Sequence, residues 1–143
     1  MRIGEVYYVE FEGNGSVQRG WRPGLILQNN VGNAHSPNTI VLPMTGVHKK
    51  MKLPTHVFVP ASVGLKIDSV VLCENPQCVS KDRIGEYMTV LPKAYMKKIA
   101  ESTLLASSVI AYLDPDVLVE IWKKAVRLNS DNAVKEAAGG SHV

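Results

Sequence analysis

Between Gly4 and Val90 the apolar residues come in short runs rather than long stripes. Val6-Tyr7-Tyr8-Val9, Gly24-Leu25-Ile26-Leu27, Thr39-Ile40-Val41-Leu42, His56-Val57-Phe58-Val59 and Ser69-Val70-Val71-Leu72 are rich in β-branched, aromatic and other apolar side chains. Runs of that length and composition predict strands, and Met88-Thr89-Val90 closes the set. Between them stand Gly13-Asn14-Gly15, Asn29-Asn30, Gly32-Asn33, Ser36-Pro37-Asn38 and Leu53-Pro54, each a turn former by backbone preference. With no long helical pattern between the strands, the expected architecture is a small, strongly bent antiparallel barrel rather than a βαβ sheet.

After Pro92 the period changes. Met96, Ile99, Thr103, Ala106 and Ile110 recur at three- and four-residue spacing, the stripe of an amphipathic helix that should lie against the barrel. Asp114-Pro115-Asp116 supplies an N-cap followed by proline at the first helical position. A second helix is therefore expected from Pro115 to about Leu128, with Val117, Ile121, Trp122, Ala125 and Leu128 on one side. From Asn129 the chain is polar and reaches Gly139-Gly140, which predicts a frayed tail.

The 143 residues, 45% hydrophobic and 20% charged, suit one compact domain with an appended element. We place the domain at residues 1–111 and a C-terminal helical extension with a flexible tail at 112–143. No apolar stretch approaches the roughly 20 residues of a membrane span, and no leader pattern precedes the first strand, so a cytoplasmic protein without membrane contact is expected. Cys73 and Cys78 lack a second Cys or His pair at zinc-binding spacing and read as two reduced thiols, so neither a metal site nor a cofactor is expected. A net charge of +3 permits a polyanionic partner without requiring one.

Six ordered segments between Gly4 and about Thr103 resemble the MazF/PemK (Kid) toxins. Gly4-Glu5-Val6-Tyr7-Tyr8 is similar to the family's first strand, and Arg22-Pro23-Gly24-Leu25-Ile26-Leu27-Gln28-Asn29 to its R-P-x-L-V-x-Q-N strand. Gly32-Asn33 with Ser36-Pro37 resembles the G-N-x-x-S-P turn, and Pro43-Met44-Thr45 ends a strand where the family carries a threonine. Lys52-Leu53-Pro54-Thr55-His56-Val57 is close to K-x-P-T-H-V, and Asp68-Ser69-Val70-Val71-Leu72 followed by Glu74 to D-S-V-x-L-x-E. The resemblance implies an SH3-like or Kid-type (MazF/PemK/CcdB) small barrel with C-terminal helices. It also implies a homodimer with an RNA groove across its interface, and metal-free cleavage of single-stranded RNA to a 2′,3′-cyclic phosphate and a 5′-hydroxyl. A cognate acidic, MazE-like antitoxin is the implied inhibitor. Where the family usually has E-Q-x-R-T, or C-D-Q-P-R-T in the Kid branch, this chain has Cys73-Glu74-Asn75-Pro76-Gln77-Cys78, which alters the turn expected to carry sequence specificity.

Metal-free RNA cleavage needs a base for the ribose 2′-hydroxyl, a cation for the pentavalent phosphorus and a proton for the leaving oxygen. Among the matched positions Arg22 suits the second task, because its planar fork donates two parallel hydrogen bonds to a phosphate. Thr45 can orient a non-bridging oxygen, and Glu74 stands where the Kid branch carries an aspartate linked to catalysis, making it the candidate base. Singly, Arg22 reads equally as a surface residue, Thr45 as a β-former and Glu74 as an ion-pair partner.

The basic segment His48, Lys49, Lys50 and Lys52 is suited to RNA phosphates, or to plain solvation. Ser16, Gln18, Arg19 and Trp21 lie in the segment that borders the RNA groove in this family. Trp21 is read either as a base-stacking side chain or as one buried against the barrel. Asn29, Asn75 and Gln77 complete the candidate RNA contacts. Two other functions compete: a CcdB-like gyrase poison, which shares the fold but ends its helix in Trp-Gly-Ile where this chain has Ala111-Tyr112-Leu113, and an inactive Kid-fold binding module.

Overall fold

A computed structural model describes residues 1–13, 20–47 and 53–139. Seven strands form one bent antiparallel sheet: β1 (Glu5–Phe11), β2 (Gly20–Ile26), β3 (Asn38–Gly46), β4 (His56–Val59), β5 (Ser69–Leu72), β6 (Gln77–Ser80) and β7 (Ile84–Val90). The order is β4-β5-β3-β2-β1-β7, with β6 paired to β3. The nine-residue β3 carries β6 along Asn38–Val41 and β5 along Met44–Gly46, while β2 pairs with it on the other side. Among the described residues β4 pairs only with β5, and β7 only with β1. The sheet is therefore open, and the barrel expected from the sequence does not close. β5 and β6 divide one edge of β3 between them, and among the described residues no pairing joins the outer strands β4 and β7.

Adjacent residues on a strand face opposite sides, and this sheet has apolar residues on both. Val6, Leu25, Leu42, Met44, Val57, Val59 and Val71 form one buried cluster with Ile99. Val9, Phe11, Ile26, Val41 and Val79 form the other. Leu25 and Ile26, and again Val41 and Leu42, divide between the two. Helix α2 (Lys93–Ser107) closes the first face through Ile99, with Tyr95 and Met96 packed beside it. Burying each such aliphatic side chain contributes about 1.5–3 kcal/mol. The helix stops at Ser108, whose φ of 53° lies in the left-handed region, so Ile110 falls in a short 3-10 turn beyond it.

Two elements depart from the sequence reading. The Asn-Gly-Asn region expected to turn contains helix α1 (Asn30–His35), started by the Asn29 side-chain oxygen accepting from the Gly32 N–H at 2.9 Å. The expected frayed tail instead contains helix α4 (Asp131–Gly139), which follows helix α3 (Leu118–Leu128). Tertiary contacts hold it. The Asn30 N–H donates to Asn129 Oδ1 at 3.0 Å, Arg2 pairs with Asp131 at 3.0 Å, and His35 Nε2 lies 3.0 Å from the Val134 carbonyl. The apolar side of α3 is uncovered, with Trp122 65% exposed. Among the described residues no helix is long and apolar enough to cross a membrane.

Candidate active site

The site begins where β2 and β3 stop pairing. Their ladder runs Ile26↔Val41, Leu25↔Leu42, Gly24↔Pro43 and ends there. Pro23 lacks the N–H that the next hydrogen-bonded pair of a continuing ladder, with Met44, would use. Two residues beyond the last pair stand Arg22 and Thr45, both half-buried. By strand alternation they share the sheet face of Gly24, Ile26 and Val41, opposite the face under α2. Gly24 itself is tightly enclosed: a Cβ there would meet Val41 Cγ1 at 2.6 Å and Val9 Cγ2 at 2.9 Å. That close approach pins the strand carrying Arg22.

A cleft of about 350 Å³ opens between the diverging strands, lined by Tyr8, Trp21, Arg22, Thr45, Lys66 and Ser69 among others. Trp21 is 58% exposed, so the reading that buried it against the barrel does not hold. Its indole lies over Gly85, where a Cβ would come within 2.9 Å of Trp21 Cζ3. Lys66 Nζ sits 5.0 Å from the centre of the Tyr8 ring, and a hydrogen bond with the Tyr8 side chain favours its charged form. Sequence reasoning passed over Tyr8, Lys66 and Ser69. Tyr8 reads as an ordinary strand residue and Lys66 as part of a loop; only the pairing of β3 with β5 brings that loop to the cleft.

Glu74, grouped with Arg22 and Thr45 in the sequence reading, does not line this cleft. It lies four residues past Val70, the residue opposite Thr45, in the turn that follows the end of β5 at Leu72. Its carboxylate accepts from Thr55 Oγ1 at 2.9 Å and meets His56 Nε2 at 2.9 Å. Asn75 and Gln77 follow it, and Gln77 stands opposite Val41 with a buried Nε2 that has no hydrogen-bond partner among the described residues. Asn29 is engaged as the cap of α1. Ser16, Gln18, Arg19, His48, Lys49, Lys50 and Lys52 lie outside the described residues.

An arginine fork and a hydroxyl on one face of a small bent sheet have the chemistry to hold a phosphate group. Residues 2–106 match the family model for the PemK-like, MazF-like toxin of type II toxin-antitoxin systems, and the chain belongs to that family. It is 37% identical over 114 residues to Endoribonuclease EndoA of Bacillus subtilis, covering 78% of this chain and 98% of that protein. Over 101 residues it is 42% identical to Endoribonuclease MazF of Staphylococcus saprophyticus, covering 69% of this chain and 84% of that protein. Its structure is similar to that of an endoribonuclease in complex with its cognate antitoxin from Mycobacterial species. The TM-score is 0.64 at 27% identity, over 76% of this chain and 96% of that one. Helices α3 and α4 lie beyond the residues matched by the family model.

Proposed function

We propose that this toxin-family endoribonuclease cuts single-stranded RNA at the open end of β2 and β3 without a metal. In this reading the 2′-hydroxyl loses its proton and attacks the adjacent phosphorus, the bond to the 5′-oxygen breaks, and that oxygen takes up a proton. The products are a 2′,3′-cyclic phosphate and a 5′-hydroxyl. Arg22 neutralises the charge gathering on the phosphorus, and Thr45 fixes a non-bridging oxygen. The observation that carries the reading is the placement of Arg22 and Thr45 on one face, each two residues past the end of the same ladder.

Trp21 and Lys66 flank the reacting group, and Glu74, Asn75 and Gln77 meet the RNA farther along the sheet. The chain acts in the cytoplasm as a homodimer, and an acidic MazE-like antitoxin silences it; the likeness to a solved toxin-antitoxin complex supports that partner. Residues 1–111 carry the activity, and 112–143 form an extension that steadies the fold.

The test is incubation of the purified protein with long single-stranded RNA in EDTA, followed by end analysis. Cleavage to cyclic-phosphate ends is expected. Activity abolished by EDTA, or ends bearing a 5′-phosphate, would sink the mechanism.

A further inference from the structure

The edge strand β4 turns Val57 and Val59 into the core under α2 and leaves His56 and Phe58 on the opposite face. His56 is engaged with Glu74. Phe58 is 52% exposed. Its position follows from the pairing: Phe58 is opposite Val70, and Val70 is opposite Thr45. Residues opposite one another on paired strands share a face, so Thr45, Val70 and Phe58 form a row across three neighbouring strands. Arg22 extends that row on the far side of Thr45. At about 4.8 Å between strands, Phe58 stands about 10 Å from Thr45.

We propose that Phe58 is a stacking platform for a base of the bound RNA, close in sequence to the cleaved phosphate. This rests on the RNA-cleavage reading above and names a residue that sets how the substrate lies. A single strand offers a planar base beside every phosphate, and an exposed aromatic ring near a phosphate site captures such a base without reading its edge. The pair His56 and Glu74, next along the same face, supplies polar groups able to meet that base's edge. Nothing in the local sequence marks this role, because Phe58 alternates in register with two core valines and reads as one more strand residue.

The experiment uses the full chain and a short RNA with one cut site. A matched RNA blocked by 2′-O-methylation at the cut site is used for binding by fluorescence anisotropy. Phe58→Ala is expected to raise KM, and Kd for the blocked RNA, by about tenfold with kcat largely kept. Phe58→Trp is expected to restore both. Making one nucleotide near the cut site abasic should weaken wild-type binding by a similar factor and have no further effect in Phe58→Ala. Unchanged Kd and KM in Phe58→Ala overturn the proposal, as does an abasic penalty that is the same in both proteins at every position. A fall in sedimentation-measured self-association with Kd unchanged also overturns it, and assigns the ring to a protein contact instead. If wild-type protein binds the blocked RNA but cuts nothing, the cleavage reading fails while the binding comparison still decides the role of Phe58.

Discussion

Arg22 and Thr45 stand across from each other at the point where β2 and β3 separate, each two residues past the closing pair of Gly24 and Pro43. Neither position supports the core, so both can be changed without unfolding the sheet. Arg22→Ala and Thr45→Ala are expected to keep the wild-type circular dichroism spectrum and melting behaviour. Each should lower RNA cleavage about a hundredfold or more, the usual loss when a charged or oriented contact to a transition state is removed. Arg22→Lys should recover little, because an ammonium cannot present two parallel donors. A folded Arg22→Ala protein that cuts at near wild-type rate would remove Arg22 from the chemistry.

The placement of Glu74 leads to a different expectation. Its side chain is 31% exposed and bonded to Thr55 and to His56, whose side chain is 5% exposed. Glu74→Gln should therefore act first on stability, costing about 1–2 kcal/mol through weakened hydrogen bonds. Cleavage should stay within about tenfold of wild type, since the carboxylate does not line the cleft with Thr45 and is held by Thr55 and His56. Chemical denaturation paired with a single-turnover assay separates the two effects. A rate loss as large as that of Arg22→Ala would make Glu74 the base after all.

Cys73 and Cys78 should report opposite environments. Cys73 is buried and Cys78 exposed. Burial pushes the Cys73 thiol up to about 11, with the nearby Glu74 charge adding to it. Native protein at pH 8 should react with one equivalent of a thiol reagent and denatured protein with two. The sign for stability follows from the unfolded chain losing the Cys73 proton first. The contribution is complete below the ordinary thiol value of 9.0 and declines as pH rises from there through about 11. Urea midpoints measured between pH 8 and 11 should fall less in Cys73→Ala than in wild type.

The C-terminal extension is tied to the sheet's first turns through Asn129, Asp131 and Val134. Asn30 is 6% exposed and has its N–H satisfied by Asn129 Oδ1. Asn129→Ala should cost about 1–2 kcal/mol by stranding that donor. Arg2→Ala, removing an ion pair exposed on both sides, should cost no more than about 1 kcal/mol. Truncation after Leu113 is expected to lower the melting temperature more than either point change. An unaltered melting temperature in the truncated chain would show the extension to be dispensable.

The sequence revealed those elements whose own side chains carry the pattern. β1, β3, β4, β5 and α2 hold their apolar residues at strand or helix spacing, and the structure has them. β6 was missed because Gln77, Cys78 and Ser80 are poor strand formers, and it exists through pairing with β3. Asn29 looked like a turn residue and acts as a cap, two outcomes that the same side-chain oxygen serves. The tail beyond Asn129 looked too polar for order because its partners lie about a hundred residues earlier. Of the site, Arg22 and Thr45 could be picked by family likeness, whereas Tyr8, Lys66 and Phe58 depend on cross-strand register. No local composition encodes that.

The proline at the head of the cleft, Pro23, has a consequence for binding thermodynamics. Because Pro23 has no donor to give, the next ladder bond from β2 to Met44 of β3 cannot form over the cleft when nothing occupies it. The gap is made during folding, by covalent structure, and a ligand spends none of its affinity forcing strands apart. A pre-organised opening of this sort favours modest entropy losses on association and little rearrangement of the sheet.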